Sequence, residues 1–293
     1  MLTLTLQALV NGLIVGFVYG LIGVGLNIIY GVLRVVNFSH GEFVILGSYF
    51  AYFALHLLNI NPLVAVPLSL IVFAVVGYGL YYLLIARLAT SDDPETASLL
   101  MTYGMSIAIG ASMLLAFDAE SRSLDFSLDP AFVMVGPLVI PTLRIVSLLI
   151  VLTLVAALFW FQYRTFTGKA LRAITMNRDA VQIVGVDVDK LSAIAFGMGL
   201  GLAAVAGVLT ALIFPAFSPF SGADYTLIGF ILIVLGGLGH PVGALAASIL
   251  FGITEQISAV FFNSSIALII GFMMIVVVIY VRPSGLFGRA VQR

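Results

Sequence analysis

The 293-residue sequence has no cysteine and only three histidines. Without cysteine the chain has no disulfide framework, no thiolate metal site and no cysteine nucleophile. Three histidines supply few of the nitrogen ligands that zinc and similar ions need. We therefore expect no metal-binding residues in this chain.

Charged residues are also scarce. They make up 9% of the chain, whereas soluble globular proteins carry about 25%. Hydrophobic residues make up 62%, and the mean hydropathy is +1.22. The formal net charge of −1 provides no basic surface to neutralise nucleic-acid phosphates, so nucleic acid is not an expected partner. This composition indicates a protein that resides in a lipid bilayer.

The first 33 positions carry no charge, since Arg34 is the first charged residue. A cleavable signal peptide begins with a positively charged region. We therefore predict that the first apolar segment is retained as a membrane span.

Long uncharged runs account for most of the chain. Seven stretches without Asp, Glu, Lys or Arg offer room for about eight to ten spans at roughly 20 residues each. Residues 269–281 are apolar on every side, which excludes the period-two alternation of a membrane β-strand. We predict an all-α, polytopic helical membrane protein, with a single transmembrane domain over residues 1–293 and some broken or re-entrant helices. The predicted spans are 5–30, 42–58, 63–86, 96–117, 143–163, 192–213, 224–239, 243–262 and 265–281.

The distribution of Lys and Arg predicts the orientation, because short cytoplasmic loops carry an excess of these residues. Nine crossings place ten of the twelve cations inside, with the N-terminus outside and the C-terminus cytoplasmic. Arg122 and Arg144 remain outside. Segment 131–142, with Gly136, Pro137 and Pro141, is compatible with a partial hairpin as well as with a loop. The ten inner cations are Arg34, Arg87, Arg164, Lys169, Arg172, Arg178, Lys190, Arg282, Arg289 and Arg293.

The cytoplasmic segment 164–191 is the longest predicted inner connection. Its apolar residues fall near helical spacing between Gly168 and Gly185, which predicts helix rather than coil. Such an element, held between two spans, is suited to docking a partner. The alternative is an interfacial amphipathic helix whose cations extend toward lipid headgroups. Gly168-Lys169 does not form a phosphate-binding loop, because Tyr163 and Ala170 stand where that motif needs Gly and Ser or Thr.

Two polar segments interrupt the apolar spans, at 34–42 and 236–243. Each places a histidine beside glycine or proline between two apolar runs, which predicts a helix break. Because both are followed by helices rich in small residues, they suggest a duplicated architecture such as transporters use. We expect the two segments to approach each other across a pathway. The candidate residues are Asn37, Ser39, His40, Gly41 and Glu42 in the first segment and Gly236, Gly237, Gly239 and His240 in the second.

Acidic residues inside the spans are functional candidates, since each costs on the order of 3 kcal/mol at the bilayer centre. Glu42 is also explained by an ion pair with Arg34 or by an interfacial position. Glu255, beside Gln256, is expected to face the bundle interior, either along the pathway or against a neighbouring helix. The two histidines are explained by their helix breaks more readily than by ligand binding.

Four motifs of the sequence carry a family resemblance. They are Asn37-Phe38-Ser39-His40-Gly41-Glu42, Leu235-Gly236-Gly237-Leu238-Gly239, Gly168-Lys169-Ala170-Leu171-Arg172-Ala173 with Gly185-Val186, and Arg282-Pro283-Ser284-Gly285. The specific signal is the combination of the first two. By these motifs the whole chain, over residues 5–290, resembles the inner-membrane permease subunits of ATP-binding-cassette importers for branched-chain amino acids.

This resemblance implies a permease without catalytic activity, in the inner membrane of a bacterium. Two ATPase subunits would bind ATP and Mg²⁺, a second related permease would complete the channel, and a periplasmic binding protein would deliver substrate. No cofactor is expected on this chain itself. The ATPase-coupling residues would be those of segment 164–191, namely Gly168, Lys169, Arg172, Arg178 and Gly185.

The substrate does not follow from the resemblance, because related permeases for urea and short amides share the architecture. An ion-coupled secondary transporter is a further alternative, although it would need a buried charged cluster. A channel is a weaker one, since the sequence has no filter motif. For a branched-chain amino acid we expect a pathway lined by small and apolar residues of helix 192–213 and segment 243–252.

Overall fold

A computed structural model of the protein describes residues 1–91, 93–262, 264–282 and 284–288. Pro283, Arg289 and Arg293, which the sequence analysis named, lie outside these ranges. The α-helices in the described part are α1 (Leu2–Leu33), α2 (His40–Leu58), α3 (Pro62–Leu80), α4 (Pro94–Phe117), α5 (Thr142–Arg164), α6 (Phe166–Met176), α7 (Arg178–Ile183), α8 (Val188–Ile213), α9 (Ser221–Gly236), α10 (Pro241–Phe261) and α11 (Ser264–Val281).

The helical membrane fold predicted from the sequence is confirmed. Seven described helical segments are long and apolar enough to cross a membrane, and α9 and part of α11 are shorter apolar helices. Each of the nine predicted spans corresponds to one of these helices. Helix α3 continues into a π-helical turn, Tyr81–Ile85, and a 3-10 segment, Ala86–Thr90. Segment 131–142 forms a small antiparallel hairpin of β1 (Phe132–Val135) and β2 (Leu138–Pro141), which turns at Gly136.

Helix boundaries follow from capping side chains. Helices α3, α4 and α10 each begin with a side chain that accepts a backbone N–H, followed at once by a proline, whose missing N–H is not needed at that position. Helices α1 and α2 end at Arg34 and Asn59, both in the left-handed conformation. The three capping pairs are Asn61 with Pro62, Asp93 with Pro94, and His240 with Pro241.

Helices α1 and α8 form the centre of the bundle, and most of the residues of each helix are buried. They cross at a pair of glycines. A Cβ on Gly25 would lie 2.8 Å from the carbonyl oxygen of Gly199, and a Cβ on Gly199 would lie 2.7 Å from that of Gly25. Neither position has room for a side chain, so the glycines permit the closest backbone approach.

The packing is pseudo-symmetric and relates α1–α3 to α8–α10. Helix α1 packs along α10 as α8 packs along α3, while α1 meets α8 and α2 meets α9. The sequence suggested that segment 34–42 corresponds to segment 236–243, but the packing relates it to a different segment. Gly41 and Gly222, each the second residue of its helix, lie against each other at the start of α2 and α9. The segment that corresponds to the first break is therefore the start of α9 rather than segment 236–243.

The predicted inner connections gather at one end of the bundle. Arg34 donates from Nη2 to the Thr175 carbonyl (3.3 Å), and the Leu286 amide donates to the carbonyl of Leu235 (2.9 Å). At the opposite end Arg122 and Phe217 exchange backbone hydrogen bonds of 2.9 Å. The loops that the cation distribution assigned to one side therefore share one side of the fold.

Candidate functional site

The first break is a compact turn between α1 and α2. The Oδ1 of Asn37 accepts hydrogen bonds from the amide of Ser39 (3.1 Å) and from its hydroxyl (2.7 Å). This turn directs His40 inward, where its Nε2 lies 3.1 Å from the Ile22 carbonyl of α1. Asn37, Ser39 and His40 are fully buried. The structure thus places all three residues inside the bundle, as expected for a break that hydrocarbon could not accommodate.

Thr226 on α9 satisfies the backbone of this break. Its Oγ1 accepts from the amide of Gly41 (3.0 Å) and donates to the carbonyl of Phe38 (3.2 Å). On the other side, Thr102 of α4 accepts from the amide of Phe38 (3.3 Å) and donates to the Val36 carbonyl (2.9 Å). Two threonines from distant helices therefore hold the turn, and the sequence offered no sign of either.

We expect Thr226→Val to destabilise the protein by about 2 kcal/mol, because the nearly isosteric change leaves two buried backbone groups without partners. The matched control is Thr153→Val, in which an exposed threonine of α5 loses only a bond to its own helix at Leu149. Thermal unfolding of the purified protein measures both. A melting temperature for Thr226→Val equal to that of Thr153→Val would contradict this role.

Glu42 lies at the start of α2, between α4 and α9. The hydroxyl of Ser106 donates to its Oε1 (3.2 Å), and its carboxylate lies directly against Gly222. Only 6% of the residue is exposed, and Oε2 is buried without a hydrogen-bond partner among the described residues. The ion pair with Arg34 considered from the sequence is not formed, since Arg34 extends instead to Thr175 on α6. An interfacial position is equally incorrect, because Ser106 lies at the middle of the α4 span.

The second break joins α9 to α10. Gly237 and Gly239 adopt φ angles of 104° and 76°, which favour glycine. Asn27 of α1 donates from Nδ2 to the Gly237 carbonyl (3.1 Å), and His240 caps α10 by accepting the amide of Gly243 at Nδ1 (3.1 Å). His240 thus acts as a helix-break residue, as the sequence suggested.

The segment after α11 closes this second break. The amides of Leu286 and Phe287 donate to the carbonyls of Leu235 and Gly236, at 2.9 and 3.3 Å. The ring of Phe287 stacks on His240 with centroids 6.4 Å apart. The Ser284-Gly285 turn is the local signal for this contact, which the sequence did not otherwise indicate.

Helix α1 separates the two breaks. The first contacts α1 at Gly25, whereas the second contacts it at Asn27 and Gly31. At 3.6 residues per turn these positions lie roughly 120° to 160° away from Gly25 around the helix. Within this chain α1 therefore lies between segments 37–42 and 236–243, and their approach to each other across a pathway stays a prediction.

Glu255 lies inside the bundle, as expected. The hydroxyl of Tyr19 on α1 donates to its Oε1 (3.4 Å), and Oε2 is buried without a hydrogen-bond partner within the described ranges. Gln256 beside it is half-buried. Glu255 contacts a neighbouring helix, which was one of the two roles considered for it.

Helices α6 and α7 form the predicted helical element in segment 164–191. Several of its candidate residues anchor it to the bundle. Gly168 packs directly under the carbonyl of Phe161, Arg172 donates from Nε to the Gln162 carbonyl (3.0 Å), and Gly185 turns the chain at φ 82°. Arg178 pairs with Asp189 at 3.8 Å and donates to the Val32 carbonyl at 3.5 Å.

Four large apolar residues of this element are exposed. Phe166, Met176, Ile183 and Val184 are 80%, 72%, 85% and 76% exposed, and Lys169 is also exposed. Large apolar residues in a polar connection rarely remain so open unless they contact something. We call these four apolar residues the α6–α7 face. The sequence does not mark this face, because exposed and buried apolar residues of the segment share the same helical spacing.

Helix α8 is a packing helix within this chain. Gly201 lies against the carbonyl of Leu70 on α3, and Gly207 against that of Val44 on α2. The middle of α10 packs similarly, with Gly252 against Gly16 of α1. We expected small residues of these helices to line a pathway. In this chain the space beside these three glycines is occupied by neighbouring helices.

Comparison with known proteins agrees with this architecture. The model of a family described as branched-chain amino acid transport system / permease component matches residues 8–279. The high-affinity branched-chain amino acid transport permease BraD of Pseudomonas aeruginosa is 30% identical, over 97% of this chain and 96% of its own length. LivH of Escherichia coli K12, with the same description, is 28% identical over the same shares.

A second kind of permease is also similar. The probable branched-chain amino acid transport permease LivM of Methanocaldococcus jannaschii is 28% identical over 41% of this chain and 39% of its own length. No solved structure matches the chain. Since the family model covers nearly all of the bundle, from α1 to within α11, the chain belongs to the family of permease components of branched-chain amino acid transport systems.

Proposed function

We propose that the chain is the translocation subunit of an importer that carries branched-chain amino acids inward, driven by ATP hydrolysis on separate subunits. The observation that carries this proposal is the α6–α7 face, an exposed apolar surface on a helical element that is firmly joined to the bundle. ATP and Mg²⁺ would bind to the ATPase partners, and this chain would have no catalytic site and no cofactor. The substrate class is that named for BraD and LivH.

The remaining partners follow from the same proposal. A second permease related to LivM would complete the pathway, because the described core of this chain is filled by its own side chains. A substrate-binding protein would dock at the end that carries Arg122 and the β1–β2 hairpin. The chain would lie in the bacterial inner membrane, with the α6–α7 face in the cytoplasm.

Movement of the ATPases would reach the bundle through α6 and α7. Arg178 links α7 to the end of α1 at Val32 and to α8 at Asp189. Tyr81, in the π-helical turn that continues α3, also donates its hydroxyl to Asp189 (3.2 Å). Arg34 links the first break to Thr175 on α6. A displacement of the α6–α7 element would therefore act on α1, α3 and α8 together.

Transport by proteoliposomes tests the proposed function. Vesicles that contain this chain with its second permease and ATPases should take up leucine only with the binding protein outside and ATP on the ATPase side. Urea and acetamide should not be taken up. Leucine uptake that follows an imposed proton or sodium gradient without ATP would instead support a secondary transporter, and urea uptake would support the amide permease.

Single cysteines test the proposed orientation, because the natural chain has none. Leu238→Cys, at a half-exposed position of the second break, should react with a membrane-impermeant thiol reagent only from the cytoplasm. Met134→Cys, 76% exposed on β1, should react only from outside. Ser39→Cys should react from neither side in this conformation, since Ser39 is fully buried. Reversed accessibility of the first two positions would contradict the orientation.

A further inference from the structure

A cavity of about 940 Å³ opens at the end of the bundle that carries α6. It lies between the last turns of α1 and α5, helix α6, the second break and the segment after α11. Its described lining includes Arg34 and Arg172 but no Asp or Glu. The cavity is therefore positively charged, and none of the roles assigned above accounts for it.

Both arginines line the cavity, and no carboxylate of the described residues pairs with either of them. Arg34 reaches Thr175, which lies three residues, or about one helical turn, after Arg172. Arg172 also rests on the ring of Tyr163, with Cζ 4.1 Å from its centroid. No carboxylate of the described chain lies within 4.0 Å of either cation. A bound anion would supply the counter-charge that the described lining lacks.

The rest of the lining is divided between polar and apolar groups. Asn27 is fully buried, and its Oδ1 has no hydrogen-bond partner in the part of the chain that the structure describes. The apolar part extends to helices α9, α10 and α11, through Val234, Val242 and Ile279. A ligand that fits both parts has an anionic head and a hydrocarbon tail.

We propose that this cavity binds an anionic phospholipid of the cytoplasmic leaflet. Its phosphate would lie between Arg34 and Arg172, and its acyl chains would follow the apolar side toward α11. Basic cavities between membrane helices on the cytoplasmic side suit such headgroups. The half-exposed Tyr163 is of the residue type enriched at the membrane interface. The site does not depend on the transported substrate.

Native mass spectrometry of the full-length chain in detergent tests this site. The probes are dioleoyl-phosphatidylglycerol, dioleoyl-phosphatidylcholine with identical acyl chains, and inorganic phosphate. We expect one phosphatidylglycerol to bind at least tenfold more tightly than phosphatidylcholine. The double variant Arg34→Gln with Arg172→Gln should bind it about 25-fold more weakly, at roughly fivefold for each cation. The matched control is Arg164→Gln, an exposed cation at the same end outside the cavity, which should bind as the natural chain does.

Val242→Trp provides an independent variant, because it narrows the apolar side without changing a charge. If the double arginine variant fails to fold, loss of phosphatidylglycerol from Val242→Trp supports the site and undiminished binding overturns it. Equal binding of the two lipids overturns the proposal, as does full binding by a folded double variant. Inorganic phosphate that binds as tightly as the lipid would indicate a site for free anions and would also overturn it.

Discussion

Replacing Gly207 with alanine should abolish the folded protein. A Cβ at this position of α8 would collide with the carbonyl oxygen of Val44 on α2, and that backbone atom cannot rotate away. Ser48 also donates its hydroxyl to the Gly207 carbonyl (2.8 Å), so separation of the helices would break this bond too. Overpacking costs about 1–3 kcal/mol, and a clash with a backbone atom that cannot move belongs at the upper end of this range. Size-exclusion chromatography and thermal unfolding in detergent should show aggregated or unfolded protein.

The matched control for Gly207 is Gly104→Ala in α4. A Cβ there meets no atom within 4 Å in the described structure, so the change should leave stability equal or slightly higher. Assembly, ATP hydrolysis and uptake should fail together in Gly207→Ala, which distinguishes a packing residue from one that lines the pathway. A folded Gly207→Ala protein that stimulates hydrolysis normally but does not transport would contradict the packing of α2 on α8.

Replacing Ile183 and Val184 with aspartate should separate the chain from its ATPases. Both side chains are more than three-quarters exposed, so the double change should leave the fold intact. Two carboxylates at the centre of an apolar interface should weaken ATPase binding at least thirtyfold. This is about the loss of affinity that follows when one hot-spot residue of an interface is removed. The measurement is the amount of ATPase that co-purifies with each permease chain, together with leucine uptake.

Met134→Asp is the control for the α6–α7 face. Met134 is 76% exposed at the opposite end of the bundle, so its replacement should leave the ATPase bound. Charge reversal at Arg172 or Arg178 would be a poorer test, since both hold the segment to the bundle. Normal co-purification of ATPase with the Ile183 and Val184 variant would show that the docking surface lies elsewhere.

The helices could be predicted well from the sequence, because a membrane span is determined by a continuous run of apolar residues. Each predicted span became a helix, and capping pairs such as Asp93 with Pro94 mark boundaries within a few residues. The predicted inner loops also share one end of the structure. These features depend on neighbouring residues and on the bilayer, both of which a single sequence contains.

Contacts between distant residues were predicted poorly. Arg34 and Glu42 are eight residues apart and invite pairing, yet the left-handed end of α1 leaves Arg34 beside α6 while the turn at Asn37 leads Glu42 to Ser106, 64 positions away. The similarity between the two glycine–histidine breaks was equally misleading. The true counterpart of Gly41 is Gly222, which has no histidine beside it.

The composition of the purified complex is the most direct test of the central claim that this chain is the permease half of an ATP-driven importer. When the tagged natural chain is purified in mild detergent from cells that express its partner subunits, we predict one ATPase subunit for each permease chain, and a second permease in equal amount. The backbone amides of the α6–α7 face should exchange hydrogen for deuterium more slowly in that complex than in the isolated chain. A chain that purifies without ATPase, yet transports leucine in vesicles, would contradict the account.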